Sequence, residues 1–130
     1  MILGLRRALG TGPPTGSVLM TVFVPSKDRE GRPVDQEYWR DEALGLFAML
    51  FRGATAFPPG RGAWRDDVRG NLLFEEVVIV ISYASRSLVT PEALRSLRRF
   101  LHRLGREARQ GEIGLVVGEE YHGITSFDSE

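Results

Sequence analysis

The sequence predicts an α+β domain, and three observations support this fold class. Short segments rich in valine and isoleucine alternate with two longer segments whose apolar residues recur at helical spacing. Proline, glycine, asparagine and aspartate separate these segments, as turns require. At 130 residues, the chain is long enough to form one domain with its own hydrophobic core.

The first predicted strand covers residues 18–24, whose alternate positions carry valine or methionine on one face. Pro25 ends this strand, and the polar segment that follows it has the composition of an exposed turn. We expect residues 1–17 to form a flexible tail. The sequence leaves open whether Met1 or Met20 is the true start.

Two helices are predicted from their caps and their apolar stripes. Asp35 caps the first helix, which Gly53 ends. Thr90, followed by a proline, begins the second helix, which Gly111 ends. The first stripe consists of Trp39, Ala43, Leu46, Phe47 and Leu50, and the second of Leu94, Leu97, Leu101, Leu104 and Ala108, with Phe100 beside it.

A hairpin is predicted over residues 62–83. Its second strand is apolar at odd and even positions alike, so apolar side chains would face both sides of the sheet, as in a central strand. Two short strands follow the second helix. The order βαββαβ, with a short terminal strand, predicts a ferredoxin-like fold over residues 18–127, in which both helices lie on one face of an antiparallel sheet. Residues 128–130 are expected to form a C-terminal tail.

The open face of the predicted sheet suggests partners. Because the central strand offers apolar side chains to both faces, we expect a homodimer, or a subunit of a larger complex, joined through that face. The longest apolar run, residues 77–81, is too short to span a membrane, so no membrane association is expected. The chain has no cysteine, which excludes disulfides and thiolate nucleophiles and suggests a cytoplasmic protein.

One segment carries a resemblance to a known family. The chain reads Phe57-Pro58-x-Gly60, then Gly62-x-Trp64-Arg65, then a turn at Gly70 and an acid-bearing strand at Glu75. Residues 110–113, a glutamine followed by a strand, also suit this pattern. The chain thus resembles a family of small uncharacterised bacterial α+β proteins with an FPxG...GxWR segment, over roughly residues 23–117. The resemblance implies the fold and supplies no reaction.

The second helix is rich in arginine. Six arginines against two glutamates give it a local charge of plus four. Such a face suits RNA, DNA or an acidic protein patch. Arginines are also common on the exposed face of a helix, where the aliphatic part of the side chain covers apolar surface. We therefore expect a non-catalytic module of a bacterial assembly that binds an anionic partner, either nucleic acid or protein. The expected partner-binding residues are Arg61, Trp64, Arg65, Arg95, Arg99, His102, Arg106 and Arg109.

Two enzymatic or ligand-binding alternatives remain open. In a metal-dependent phosphodiesterase or nuclease, carboxylates of the hairpin would hold Mg²⁺ or Mn²⁺, with Arg61 and Arg65 on phosphate. Otherwise no cofactor and no metal site is expected. The candidate catalytic residues are Asp66, Asp67, Glu75, Glu76 and His122.

The third alternative is a small-molecule-binding dimeric α+β barrel, whose ligand would lie near Trp64, Tyr83 and His122. Trp64 itself has two interpretations. Its ring either anchors the loop in the core, which we favour, or offers a stacking surface to a base or sugar.

Overall fold

The structure of the chain is a computed structural model, which describes residues 4–129. It confirms an α+β arrangement, in which two long helices pack on an antiparallel sheet. The elements in chain order are α1 (Leu5–Leu9), β1 (Val18–Pro25), α2 (Gln36–Phe51), β2 (Thr55–Ala56), β3 (Gly60–Asp66), β4 (Asn71–Ala84), a 3₁₀ turn (Arg86–Leu88), α3 (Pro91–Glu107), β5 (Ile113–Val117) and β6 (Glu120–Ile124). Among the described residues, no helix has the length and hydropathy needed to cross a membrane.

The strand order across the sheet is β2, β4, β1, β5, β6, and every pair is antiparallel. Residues 77–84 of β4 pair with β1. Residues 71–76 extend past the end of β1 and pair with β3, which confirms the predicted hairpin. We call this two-stranded extension, residues 60–76, the hairpin arm. One face of the arm continues the face of the sheet that lies opposite the helices.

Both helix starts form as their sequences predict. The side chain of Asp35 accepts a hydrogen bond from the backbone N–H of Tyr38 at 3.2 Å. Thr90 accepts one from the N–H of Ala93 at 3.1 Å. Each bond satisfies an N–H group that the first helical turn leaves unpaired. The end of α2 differs by one residue from the prediction, since Arg52 adopts the left-handed conformation, with φ of 79°.

The core lies between the helices and one face of the sheet, which β1 covers with Met20, Val22 and Val24. In the predicted stripe of α2, Trp39, Ala43 and Phe47 are buried, whereas Leu46 and Leu50 are partly buried. The stripe of α3 is buried as predicted, with Phe100 beside it, except at Leu94, which is 44% exposed while its neighbour Ala93 is buried. The other face of the sheet is called the open face.

One arginine of α3 belongs to the helix interface. The guanidinium of Arg103 lies 4.7 Å from the ring centre of Trp39 and donates a hydrogen bond to Glu42 at 2.6 Å. Cation–π contact and ion pairing hold it between α2 and α3. It therefore serves packing, and only part of the positive charge counted on α3 faces outward.

Residues 125–129 lie across α3, and we call them the C-terminal strap. Phe127 packs against Gly105 and edge-on against His102. Asp128 donates its backbone N–H to Nδ1 of His102 at 2.7 Å, and its carboxylate accepts from Arg98 at 2.7 Å. His102 is therefore 6% exposed, which corrects the expectation that it lies on an exposed basic face.

Candidate functional site

A cavity of about 880 Å³ opens where the hairpin arm leaves the sheet. It lies between the arm, the turn that follows β1, the start of β5 and the strand β6. Its lining includes Phe23, Lys27, Arg29, Trp64, Asp66, Leu73, Glu75, Glu112, Gly114 and Tyr121. A cavity of this size is in the range of small-molecule sites, which is roughly 300–1,000 Å³.

Side chains alternate between the two faces of a strand, and this alternation places Trp64 and Glu75 on the face that lines the cavity. Trp64 is opposite Leu73, and Glu75 is opposite Gly62, so all four positions share one face of the arm. Trp64 is 48% exposed, so the expectation that its ring anchors in the core is wrong. The arm extends beyond the helices, and nothing among residues 4–129 covers that face enough to bury the ring.

The turn between β1 and α2 forms a fixed wall. Oδ1 of Asp28 accepts hydrogen bonds from the backbone N–H groups of Glu30 and Arg32, at 2.8 and 2.9 Å. The hydrogen bond from the N–H of Arg32 is the main cause of a lowered pKa at Asp28, and the bond from Glu30 acts in the same direction. Gln110 donates its amide to the carbonyl of Lys27 at 2.9 Å and ties the turn to the start of β5. The side chains of Lys27 and Arg29 thus stand on a held backbone.

Two carboxylates lie on opposite sides of the end of β1. Glu75, on the β4 side, accepts a hydrogen bond from the N–H of Ser26 at 3.3 Å. Glu112, just before β5, accepts one from the hydroxyl of Tyr121 at 2.6 Å. Burial raises the pKa of the Tyr121 hydroxyl to about 12, and the bond to Glu112 acts in the same direction. Anionic acceptors and aromatic rings therefore face the same space.

The predicted metal-binding carboxylates do not converge. Asp66 closes the turn of the arm by accepting from the N–H groups of Val68 and Arg69. Glu75 lies opposite Gly62, four residues from Asp66, or roughly 13 Å along the strand. Within residues 4–129, no group of three or more metal-ligating side chains could hold a metal ion.

The remaining carboxylates of the arm pair locally or face away from the cavity. Asp67 pairs with Arg65. Glu76 lies opposite Arg61 on the other face of the arm, where the guanidinium of Arg61 lies 4.8 Å from the ring centre of Phe74. Of the catalytic candidates, only Asp66 and Glu75 line the cavity.

The arginines expected to bind a partner are dispersed. Arg106 donates to the carbonyl of Asp128 in the strap, and Arg99 donates to Ser96 of its own helix at 3.2 Å. Arg95 is exposed, and Arg109 follows the end of α3 with φ of 53°. These arginines do not line the cavity.

Trp64, Tyr83 and His122 are not brought together. Tyr83 pairs with Leu19 toward the opposite end of β4 from the arm. His122 lies opposite Leu115, whose side chain is in the core, so the imidazole is on the helix-bearing side of β6. The site expected of a barrel between these three residues is therefore absent from the described part of the chain.

Phe23, Lys27, Glu112 and Tyr121 are among the cavity residues that were not predicted as site residues. One signal in the sequence pointed to the surroundings of Glu112 and Tyr121. Two glycines, at positions 114 and 123, lie in adjacent short strands, where a glycine usually marks close approach of another group. Lys27 is also the single lysine of the chain.

Comparison with known proteins identifies the fold. No family model matches the chain, and no curated protein matches its sequence. The chain is similar to a phage SAM lyase in complex with S-methyl-5′-thioadenosine, with a TM-score of 0.64, 15% identity, and coverage of 87% of this chain and 92% of that one. It is also similar to a phage SAM lyase in the apo state, with a TM-score of 0.61, 16% identity, and coverage of 92% and 97%.

These neighbours correct the functional expectation. Both are structures of an enzyme, which contradicts a non-catalytic module that docks through an arginine-rich helix. The nuclease and barrel alternatives fit no better, since their residues do not assemble in the described chain. The similarity to FPxG...GxWR proteins and the expected partners stay predictions.

Proposed function

We propose that this chain is an enzyme that cleaves S-adenosylmethionine, or a closely related nucleoside sulfonium compound, and releases a thioether nucleoside. The observation behind the proposal is the cavity beside the hairpin arm, where aromatic rings of β1, β3 and β6 and carboxylates from two sides of β1 share one space. The fold in common with a phage SAM lyase supports it.

The groups in the cavity match the parts of such a substrate. A flat adenine ring packs against aromatic faces such as those of Phe23 and Trp64. A sulfonium cation is attracted to aromatic faces and to carboxylates. The amino-acid end carries a positive and a negative group close together. Lys27 and Glu75 both line the cavity and offer one positive and one negative group to these two charges.

Cleavage of a sulfonium compound removes charge. The electron pair of the bond between sulphur and the amino-acid chain moves to sulphur, which becomes a neutral thioether. The carbon that loses sulphur either forms a C–O bond to the substrate's own carboxylate, which closes a lactone, or forms a C=C bond as its neighbouring carbon gives a proton to a carboxylate of the cavity. Water stabilises the charged reactant more than the less charged transition state, so a partly dry site favours the reaction. Phe23, Trp64 and Leu73 give the cavity such an apolar wall.

The test is direct. Purified protein is incubated with S-adenosylmethionine, and release of S-methyl-5′-thioadenosine is followed by chromatography with mass detection. The carbon fragment, identified in the same run, distinguishes ring closure from proton loss. We expect release well above the uncatalysed rate. Folded protein that releases none would refute the proposal.

A matched pair of variants localises the activity. Glu75→Gln removes a carboxylate that faces the cavity, whereas Glu76→Gln removes its neighbour, which faces away. We expect kcat/KM to fall at least about tenfold in the first variant, a loss of about 1.4 kcal/mol of transition-state stabilisation. The second variant should stay within about twofold of the parent. Equal losses in both would place the reaction elsewhere.

We also infer a ferredoxin-like arrangement in which β6 is an added edge strand. The position of β1 between β4 and β5, antiparallel to both, supports this inference. A homodimer through the open face stays a prediction, and light scattering of the purified chain measures it.

A further inference from the structure

We infer that Glu112, positioned by Tyr121, binds the ribose hydroxyl groups of the substrate. The cavity would then receive the nucleoside end over β5 and β6, and the amino-acid end beside the hairpin arm. This inference depends on the proposed function, and it specifies which residues recognise which part of the substrate. It starts from two glycines, Gly114 and Gly123, that lie directly opposite each other in the sheet.

The two glycines leave bare backbone on the open face. A Cβ atom at position 114 would overlap with the ring and hydroxyl of Tyr121, and one at position 123 would overlap with the carboxylate of Glu112. Both side chains therefore lie flat against the sheet in space that only glycine leaves. This close fit distinguishes the pair from an ordinary surface contact.

The pair presents a carboxylate in a fixed orientation. The hydroxyl of Tyr121 donates to Oε2 of Glu112 at 2.6 Å. A tyrosine hydroxyl is protonated at neutral pH, and burial raises the pKa of this one to about 12, so it remains a donor in alkali as well. A carboxylate has lone pairs for further donors, and hydrogen bonds to a charged acceptor are the stronger kind. Adjacent sugar hydroxyls are donors of the kind that a fixed carboxylate recognises.

The surroundings of the pair favour the nucleoside end. The ring of Tyr121 lies 6.4 Å from that of Phe23, centre to centre, so flat apolar surface adjoins the carboxylate. A nucleoside combines a flat base with neighbouring hydroxyls. Glu75 and Lys27 instead both line the cavity and the smaller pocket next to the arm, and one negative with one positive group suits an amino-acid end. The two ends of the substrate are therefore assigned to opposite sides of β1.

The experiment measures a preference rather than an affinity alone. Isothermal titration calorimetry compares S-methyl-5′-thioadenosine with its 2′,3′-dideoxy analogue. We expect the parent chain to bind the hydroxylated probe about tenfold more tightly. Glu112→Ala should abolish this preference and leave the affinity for the dideoxy probe unchanged. Tyr121→Phe keeps the ring but loses the donor, so the preference should fall to about threefold.

Glu120→Gln is the control, because this exposed carboxylate lies next to Tyr121 on β6 and does not line the cavity. It should keep the tenfold preference. An unchanged preference in Glu112→Ala would overturn the inference and leave the proposed function intact, as would equal binding of both probes by the parent. If the parent chain binds neither probe nor S-adenosylmethionine, the proposed function and the inference fail together.

Discussion

The ring of Phe127 lies over Gly105 of α3, in the space that a Cβ atom at position 105 would need. Gly105→Ala should therefore displace the C-terminal strap and lower the free energy of unfolding by about 1–3 kcal/mol, the usual cost of overpacking. Gly45→Ala is the matched control, since a Cβ there meets nothing within 4 Å in α2. It should stabilise the chain by up to about 1 kcal/mol. Urea unfolding measures both, and equal stabilities would contradict this packing.

Acid should weaken the attachment of the strap. The hydrogen bond from Arg98 lowers the pKa of Asp128 in the folded state. A lowered folded pKa means that the stabilisation is present above the unfolded value of about 3.9 and is lost as the pH falls through the folded value. Thermal melting between pH 3 and pH 7 should show this loss in the parent chain. Asp128→Asn should lack that part of the pH dependence. If the variant loses as much thermal stability in acid as the parent chain does, the pairing of Asp128 with Arg98 is contradicted.

Alkali should act on Tyr121. Its folded pKa of about 12 lies above the ordinary tyrosine pKa of about 10, so its contribution to stability is complete below about pH 10 and is lost as the pH rises through about 12. Ultraviolet titration of the three tyrosines should contain a late step near pH 12, which Tyr121→Phe removes. A variant that retains the late step would show that another tyrosine causes it.

The core offers a calibration of these effects. Phe47 is fully buried between α2 and the sheet, so Phe47→Ala should cost about 3–5 kcal/mol in the free energy of unfolding. Met49, two residues further along, is 84% exposed. Met49→Ala should change stability by no more than about 0.5 kcal/mol. Chemical unfolding of the two variants checks the orientation of α2, and similar losses would mean that the helix is rotated.

The hairpin arm should open more readily than the sheet. Its strands pair with each other, whereas residues 77–84 of β4 also pair with β1. Segments with fewer buried contacts exchange amide hydrogens at lower free energy. Amides of the arm should exchange at least about tenfold faster than those of β1, as native-state hydrogen exchange would measure. Equal protection would mean that another surface covers the arm.

Local signals made the helices and the central hairpin predictable. The caps at Asp35 and Thr90 and the apolar stripe of α2 act within a few residues, so the sequence contains their full cause. The burial of His102 depends on the strap, 26 residues away, and could not be inferred from the helical pattern alone.

The candidate site was harder to predict because it is built from distant contacts. Ser26 and Glu75 lie 49 positions apart, and they meet only because β4 pairs with β1. Tyr121 reaches Glu112 only after Gly114 has paired with Gly123. The exposure of Trp64 follows from the length of β4 beyond β1, and no local pattern encodes that length. Sequence reasoning therefore identified Glu75 and Trp64 without the partners that give them a shared role.

The unequal lengths of β4 and β1 also affect how this chain can evolve. One wall of the cavity is on the arm and the other on the sheet, while the hydrophobic core lies on the opposite side of the sheet. Trp64 and Leu73 are 48% and 47% exposed, so substitutions there alter the shape of the cavity and remove little buried surface. The fold thus separates the positions that select a ligand from those that maintain stability, and new substrates can be sampled at little cost to folding.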